Sequence, residues 1–269
     1  PHLTAEGRTI DNSRSPRNQL AGLVEPVYIP IFMLSMSWTI VEPAFPQYLA
    51  GLGAGLAAVG TIMAMRGFGQ MASDLPGGMV LARWGIRRVT TISFLASIVA
   101  NLGLVFVDST TGIAVLVFVA GLFSSVAITA FMSIVRMSVP AEQRGRALSL
   151  AGGALRVGRL VGPALGGLLA DTLGMPTVFG ARTLVLIVGL ISFLRSSIVL
   201  DRLPRTAPRS IAGAGAAVRE GLKGKWYAVG TVGTAVLVLM WLRAARTVIL
   251  PLWGASIGLS ATAIGSVMS

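Results

Sequence analysis

Residues 74–88 read DLPGGMVLARWGIRR, and this stretch decides the fold. Upstream of it lies a Gly-rich apolar run, which stops at a knot of Arg83, Arg87 and Arg88. A second long apolar run begins at Val89. Two membrane-spanning helices joined by a tight basic turn have this pattern, with the turn on the cytoplasmic side.

Composition agrees with the motif. The chain of 269 residues is 54% hydrophobic and 12% charged, with a mean hydropathy of +0.79. A soluble globular domain carries about 25% charged residues. The reading is therefore an integral, multi-pass, all-α membrane protein. The 33 glycines lie within apolar runs, where they let helices approach closely. Cysteine is absent, and the single His2 sits in a polar tail, so no metal site and no cofactor is expected. The net charge of +12 comes from basic residues that punctuate apolar segments and build no continuous basic face, which argues against nucleic acid. Lysine is confined to Lys223 and Lys225, and this Arg-, Ala- and Gly-rich usage fits a GC-rich bacterial genome.

Working outward, the apolar runs predict helices over about 27–49, 56–82, 89–107, 113–137, 147–170, 177–200 and 227–250. An eighth begins as the sequence ends. Pro43 and Pro46 predict a kink or an early end in the last third of helix one. The polar tail and the segments 83–88, 138–146 and 201–225 hold the loop arginines and lysines. The segments 50–55, 108–112, 171–176 and 252–260 hold none. This alternation obeys the positive-inside rule and puts the N-terminus in the cytoplasm of a cell-membrane protein.

The sequence also repeats itself. FPQYLAGLGAGLAAVGTIMA from Phe45 resembles LPLWGASIGLSATAIGSVMS from Leu250, at an offset of 205 residues. At that offset Pro46 meets Pro251, Gly53 meets Gly258, Gly60 meets Gly265 and Met63 meets Met268. Helix one is thereby equated with helix seven, and helix two with helix eight.

The spacing of Gly78, Arg83, Gly85, Arg87 and Arg88 resembles the G-x-L-x-D-R-x-G-R-R loop of the major facilitator superfamily, with Ala82 in place of the acid and Ile86 in place of a basic residue. Gly158, Gly162, Pro163, Gly166 and Gly167 resemble the helix-five signature G-x-x-x-G-P-x-x-G-G of that superfamily's proton-coupled drug antiporters. The segment 140–147, PAEQRGRA, resembles its four–five loop. The helix-four arginine that many members carry shortly before a glycine such as Gly121 is absent. The resemblance implies two parallel six-helix halves that alternate access to a central cavity. It implies a cytoplasmic tail over 1–25, a six-helix bundle over 26–200, a central cytoplasmic loop over 201–225 and the start of a second bundle over 226–269. The repeat arithmetic implies about 400 residues for both halves together, so the chain reads as C-terminally truncated.

Charges inside the spans are the candidate site. Glu42 and Arg66 fall at similar depth in helices one and two and are expected to pair, because unpaired ions are costly there. Asp74 is a second protonation candidate, or it caps backbone freed by Pro76, or it pairs with Arg83 or a helix-four group. Arg156 and Arg159 in helix five, and Arg243 and Arg246 in helix seven, lie where the resemblance puts the substrate path. Their charge suggests an anionic or zwitterionic substrate, or one with acceptor oxygens. Arg182 and Arg195, near the ends of helix six, are expected to snorkel to headgroups.

The leading functional reading is a monomeric, proton-coupled exporter of a small organic molecule. In it Glu42 or Asp74 titrates, residues 78–88 latch the cytoplasmic gate, and the Gly158–Gly167 face permits rocking. A uniporter, a symporter of an anionic metabolite, and a non-transporting scaffold or receptor are the alternatives. No Walker loop, dinucleotide fingerprint or Ser-His-acid set is present, so an enzyme is not expected.

Overall fold

The computed structural model describes residues 21–196 and 226–268. The tail to residue 20, the end of predicted helix six and the central loop at 201–225 lie outside these residues. Every regular element described is helical. A π-type turn at Val24–Tyr28 leads into α1 (Ile29–Thr39) and α2 (Phe45–Gly51), which are the two pieces of predicted helix one. Predicted helices two to six are α3 (Leu56–Trp84), α4 (Ile86–Phe106), α5 (Thr110–Ser138), α6 (Arg144–Leu173) and α7 (Met175–Arg195). Helix seven is α8 (Trp226–Ser256), and the start of helix eight is α9 (Ala261–Met268).

Four of these helices, α4, α5, α7 and residues 230–256 of α8, are long and apolar enough to cross a membrane by length and composition alone, with mean hydropathies of 1.7–2.4. The remaining spans fall short for local reasons. Helix one is interrupted over residues 40–44. The helices α3 and α6 are diluted by glycine and charge: α6 contains Arg156, Arg159 and its glycine stripe within one helix.

Close backbone approach, not side-chain bulk, sets the two tightest crossings. On α6, Gly158, Gly162 and Gly166 are buried against α1 and the turn after it. A Cβ on Gly158 would stand 2.7 Å from the Phe32 carbonyl oxygen, and one on Gly166 would collide with the Ile40 carbonyl. Two hydroxyls from α1 use the proximity: Ser35 donates to the Leu155 carbonyl at 2.7 Å and Thr39 to the Gly158 carbonyl at 3.2 Å. Such contacts replace the hydrophobic drive that helices lack in lipid. The second crossing joins α3 and α5, where Gly69 lies against Phe118 and Leu122 backbone and Gly121 lies against Arg66 backbone. Between the crossings, edge-to-face aromatics fill the core. Phe131 bridges Phe94 and Phe193 at centroid separations of 6.2 and 5.8 Å.

The internal repeat is present in the hydrogen bonding. Gly53 and Gly258 hold φ of +83° and +81°, a region that L side chains rarely adopt. After α2, the Gly53 N–H donates to Ala50 and the Ala54 N–H to Leu49. After α8, the Gly258 N–H donates to Ala255 and the Leu259 N–H to Gly254, at the same offset of 205 residues. Both are Schellman caps, which need glycine at the left-handed position. Two segments far apart in sequence thus end a helix and start the next by one hydrogen-bond scheme.

Asp171, in the last turn of α6, joins the two repeats. Its carboxylate accepts from the Ala261 N–H at 2.9 Å, the Thr262 N–H at 2.7 Å and the Thr262 hydroxyl at 2.7 Å. It therefore caps the N-terminus of α9 from another helix, where a negative charge meets the free N–H groups and the positive end of the dipole. Burial opposes its charge, but the hydrogen bonds from Thr262, Ala261 and Ser260 outweigh that and hold the carboxyl below its usual range. The cap is thus fully charged at neutral pH and is lost only as pH falls through that lowered value.

The crossing makes a prediction. Gly166→Ala places a methyl on Ile40 backbone, whereas Gly152→Ala enters open space. Thermal denaturation in detergent should show Gly166→Ala destabilised by about 1–3 kcal/mol and Gly152→Ala unchanged or slightly stabilised. Equal melting of the two variants would remove the backbone contact as the determinant of this crossing.

Candidate functional site

The site begins with the interruption of helix one. Pro43 and Pro46 each lack the N–H that would close a helical turn, and each disfavours helical geometry in the residue before it. The chain accordingly leaves helix at Ile40 and re-enters it at Phe45. Glu42 lies within this turn, so its backbone bond is a short one, to the Thr39 carbonyl at 3.3 Å. The sequence foresaw a kink or early end; the structure shows a one-turn interruption, with the chain still in right-handed turns at Ile40 and Ala44.

Across from Glu42, α3 supplies Arg66. Its Nη1 donates to Glu42 Oε1 at 3.4 Å, a single long contact rather than a bidentate clasp. Both side chains remain partly exposed, at 28% for Arg66 and 20% for Glu42. The Arg66 backbone is fixed by Gly121 of α5, which leaves no room for a side chain there. Its guanidinium lies 3.8 Å from the centroid of Trp38, one helical turn before Glu42. A second guanidinium, that of Arg182 on α7, lies 4.3 Å from the same ring. Cation–π contacts of this kind contribute about 0.5–2 kcal/mol each.

Arg182 corrects the sequence reading. It was expected to reach a headgroup, yet it is 3% exposed and points inward. Seven residues separate it from the start of α7 at Met175, and the face of α7 that carries it is the buried one, with Phe179 and Leu186. Arg195 is exposed. Trp38 and Trp241 also escaped notice, although Trp38 precedes Glu42 by the four residues that share a helical face.

Glu42, Arg66, Arg182 and Trp38 line a cavity of about 300 Å³, together with Phe45, Met63, Val117 and, from α8, Trp241 and Thr247. Both repeats therefore contribute to one chamber. Most of its wall is apolar, with its few charges clustered on one side, as in small-molecule sites. Among the described residues, no group of three or more His, Asp or Glu could hold a metal ion.

The other predicted residues are not all gathered here. Arg159 and Arg246 are close enough to act electrostatically on Glu42 but lie outside the cavity lining. Arg246 donates to the Met268 carbonyl at 3.1 Å. Arg156 and Arg243 are exposed and outside the lining. Asp74 accepts from Ser125 of α5 at 2.7 Å, the helix-four alternative among its possible partners, and it too is remote from the cavity.

A family model described as Major Facilitator Superfamily matches residues 27–269. The chain belongs to this superfamily. It is 31% identical over 161 residues to a multi-drug resistance efflux pump PmrA homolog of Lactococcus lactis, covering 56% of this chain and 38% of that protein. It is 26% identical over 242 residues to the uncharacterized MFS-type transporter Rv1250 of Mycobacterium tuberculosis, covering 83% and 41%. The chain thus spans about two fifths of the length of these curated relatives. Among solved structures it resembles a D-xylose–proton symporter, with a TM-score of 0.64, 14% identity, and 93% and 64% of the two chains covered. A peptide transporter POT in complex with sulfate gives a TM-score of 0.63 at 18% identity, covering 88% and 49%.

Both major facilitator motifs occupy defined places. In the first, Gly85 is the single non-helical residue between α3 and α4, with φ of +83°, and Arg83, Arg87 and Arg88 flank it at one end of the fold. Gly78 is exposed about two turns earlier. In the second, Gly158, Gly162 and Gly166 meet helix one, while Gly167 lies against the Ala261 backbone and Pro163 against Gly265 of α9. The stripe therefore serves two neighbours, one from each repeat.

The ion pair is testable by a double-mutant cycle. Glu42→Gln and Arg66→Met should each lower the thermal midpoint. The double variant should lose less than their sum, with a coupling of about 1–3 kcal/mol. Additive losses would mean the two side chains do not interact.

Proposed function

We propose that the protein is a secondary active transporter that exports a small organic molecule by alternating access, coupled to protons through Glu42. The observation that carries this reading is the Glu42–Arg66 pair in the wall of a cavity built from both repeats. A carboxylate held by one contact at 3.4 Å, partly open to the cavity, can take up a proton while the released Arg66 guanidinium keeps its place on the Trp38 ring. The likeness to multi-drug efflux pumps supports export, and the helix-five signature supports antiport.

In this proposal residues 26–200 form one bundle and residues from 226 onward begin the other, joined through a cytoplasmic segment at 201–225. The basic turn at 83–88 faces the cytoplasm and latches that end. Asp74, bonded to Ser125, steadies α3 against α5 rather than carrying the proton. The Gly158–Gly167 face, in contact with α1 and α9, is the surface on which the bundles rock. Arg159 and Arg246 bias the charge of Glu42 from either side.

The test uses the protein as its gene encodes it, in proteoliposomes loaded with a pH dye. Cationic drugs and organic anions are each offered to wild type and to Glu42→Gln. Substrate-driven proton movement opposite to the substrate, lost in Glu42→Gln, is the expected result. Movement in the same direction would make it a symporter. Substrate flux that leaves pH unchanged in both proteins would refute proton coupling.

A further inference from the structure

The three charges inside the cavity do not balance. Glu42 carries the one negative charge: it makes its contact with Arg66 and attracts Arg182 without touching it. Arg182 remains. Among the described residues it forms no ion pair, its Nε has no hydrogen-bond partner, and its neighbour is the face of Trp38. It is 3% exposed, yet it lines the cavity. Arg66 lies on the same tryptophan and repels it, and Arg159 and Arg246 add positive field around Glu42. A guanidinium cannot shed its charge as lysine can, so burial without a contacting counter-ion is costly, and an incoming anion removes that cost. A planar fork of N–H donors fits a carboxylate through two parallel bonds. The remaining wall is aromatic and apolar, with Trp241 and Phe45 close by, and it offers a small inorganic anion nothing further to bind.

We infer that Arg182 is the anion-recognition residue of this cavity, receiving the carboxylate of an amphipathic organic anion whose flat apolar body lies among Trp38, Phe45 and Trp241. The assignment rests on the cavity being the ligand site proposed above, and it adds the substrate class. Glu42 keeps Arg66 while the anion is bound, so the two arginines divide their work: one holds the coupling carboxylate and the other holds cargo. The same guanidinium would also suit the phosphate of an anionic lipid that enters from the bilayer, and the test separates the two.

Equilibrium binding of 1-naphthoate and of its neutral near-isostere 1-naphthamide is measured on the purified protein in phosphatidylcholine nanodiscs. Wild type should bind the anion at least about tenfold more tightly than the amide, the scale of one charge-assisted bidentate contact. Arg182→Gln should abolish that preference and leave amide binding unchanged, and Arg182→Lys should restore part of it. Equal affinity of wild type for the two probes would overturn the assignment, as would an intact preference in Arg182→Gln. So would loss of the preference when anionic lipid replaces phosphatidylcholine, which would assign the arginine to a headgroup. A structural arginine is distinguished by stability: ligand-free Arg182→Gln should lose less in thermal midpoint than Arg66→Met, because Arg182 has a ring contact but no contacting carboxylate. An equal or greater loss would make Arg182 a strut and sink the proposal. Anion preference without proton flux would refute the coupling scheme and leave this assignment standing. Proton-coupled flux with no anion preference would do the reverse.

Discussion

A helix that breaks inside a bilayer must pass its freed backbone groups to something other than lipid. That constraint governs the middle of this molecule. The interruption at residues 40–44 survives because α6 presses glycines against one side of it and the cavity opens on the other. The arrangement is mutual. The glycines of α6 are useful only because the chain at Ile40 brings its carbonyl within reach, and the turn is tolerated only because a side-chain-free helix face meets it. Glu42 inherits its position from this bargain of shapes and not from any feature of its own. On the turn it reaches across to α3.

Electrostatics then completes what packing begins. Trp38 gives two guanidiniums a polarisable surface where water is scarce, so cations can be gathered in a chamber that has one acid among its lining residues. The backbone of Arg66 is pinned by Gly121, and Arg182 is set by the buried face of α7. The charged wall is therefore held by packing on two sides, while the opposite wall belongs to α8.

Much of this was legible in the sequence, for identifiable reasons. Spans are visible because hydropathy integrates over some twenty residues, and the turn at Gly85 is visible because basic residues cluster at one membrane face. The pair of Glu42 and Arg66 followed from depth alone, since two ions at one level of a bilayer have few other partners. The repeat at 205 residues was legible as composition, and it reappears as matched hydrogen bonds around Gly53 and Gly258. What escaped is rotation about helix axes. Arg182 read as a snorkelling residue because its distance from the start of α7 is compatible with a headgroup, and only the packing of Phe179 and Leu186 shows that its face turns inward. Arg156 and Arg243 lie on exposed faces outside the cavity lining. Trp38 looked like ordinary core until two cations were found on its ring.

The clasp at Asp171 bears on any separation of α6 from α9. Three donors converge on one carboxylate, and two of them are backbone N–H groups that begin α9. Parting α6 from α9 at this end would release two backbone N–H groups and one hydroxyl together, and water would have to take over all three bonds.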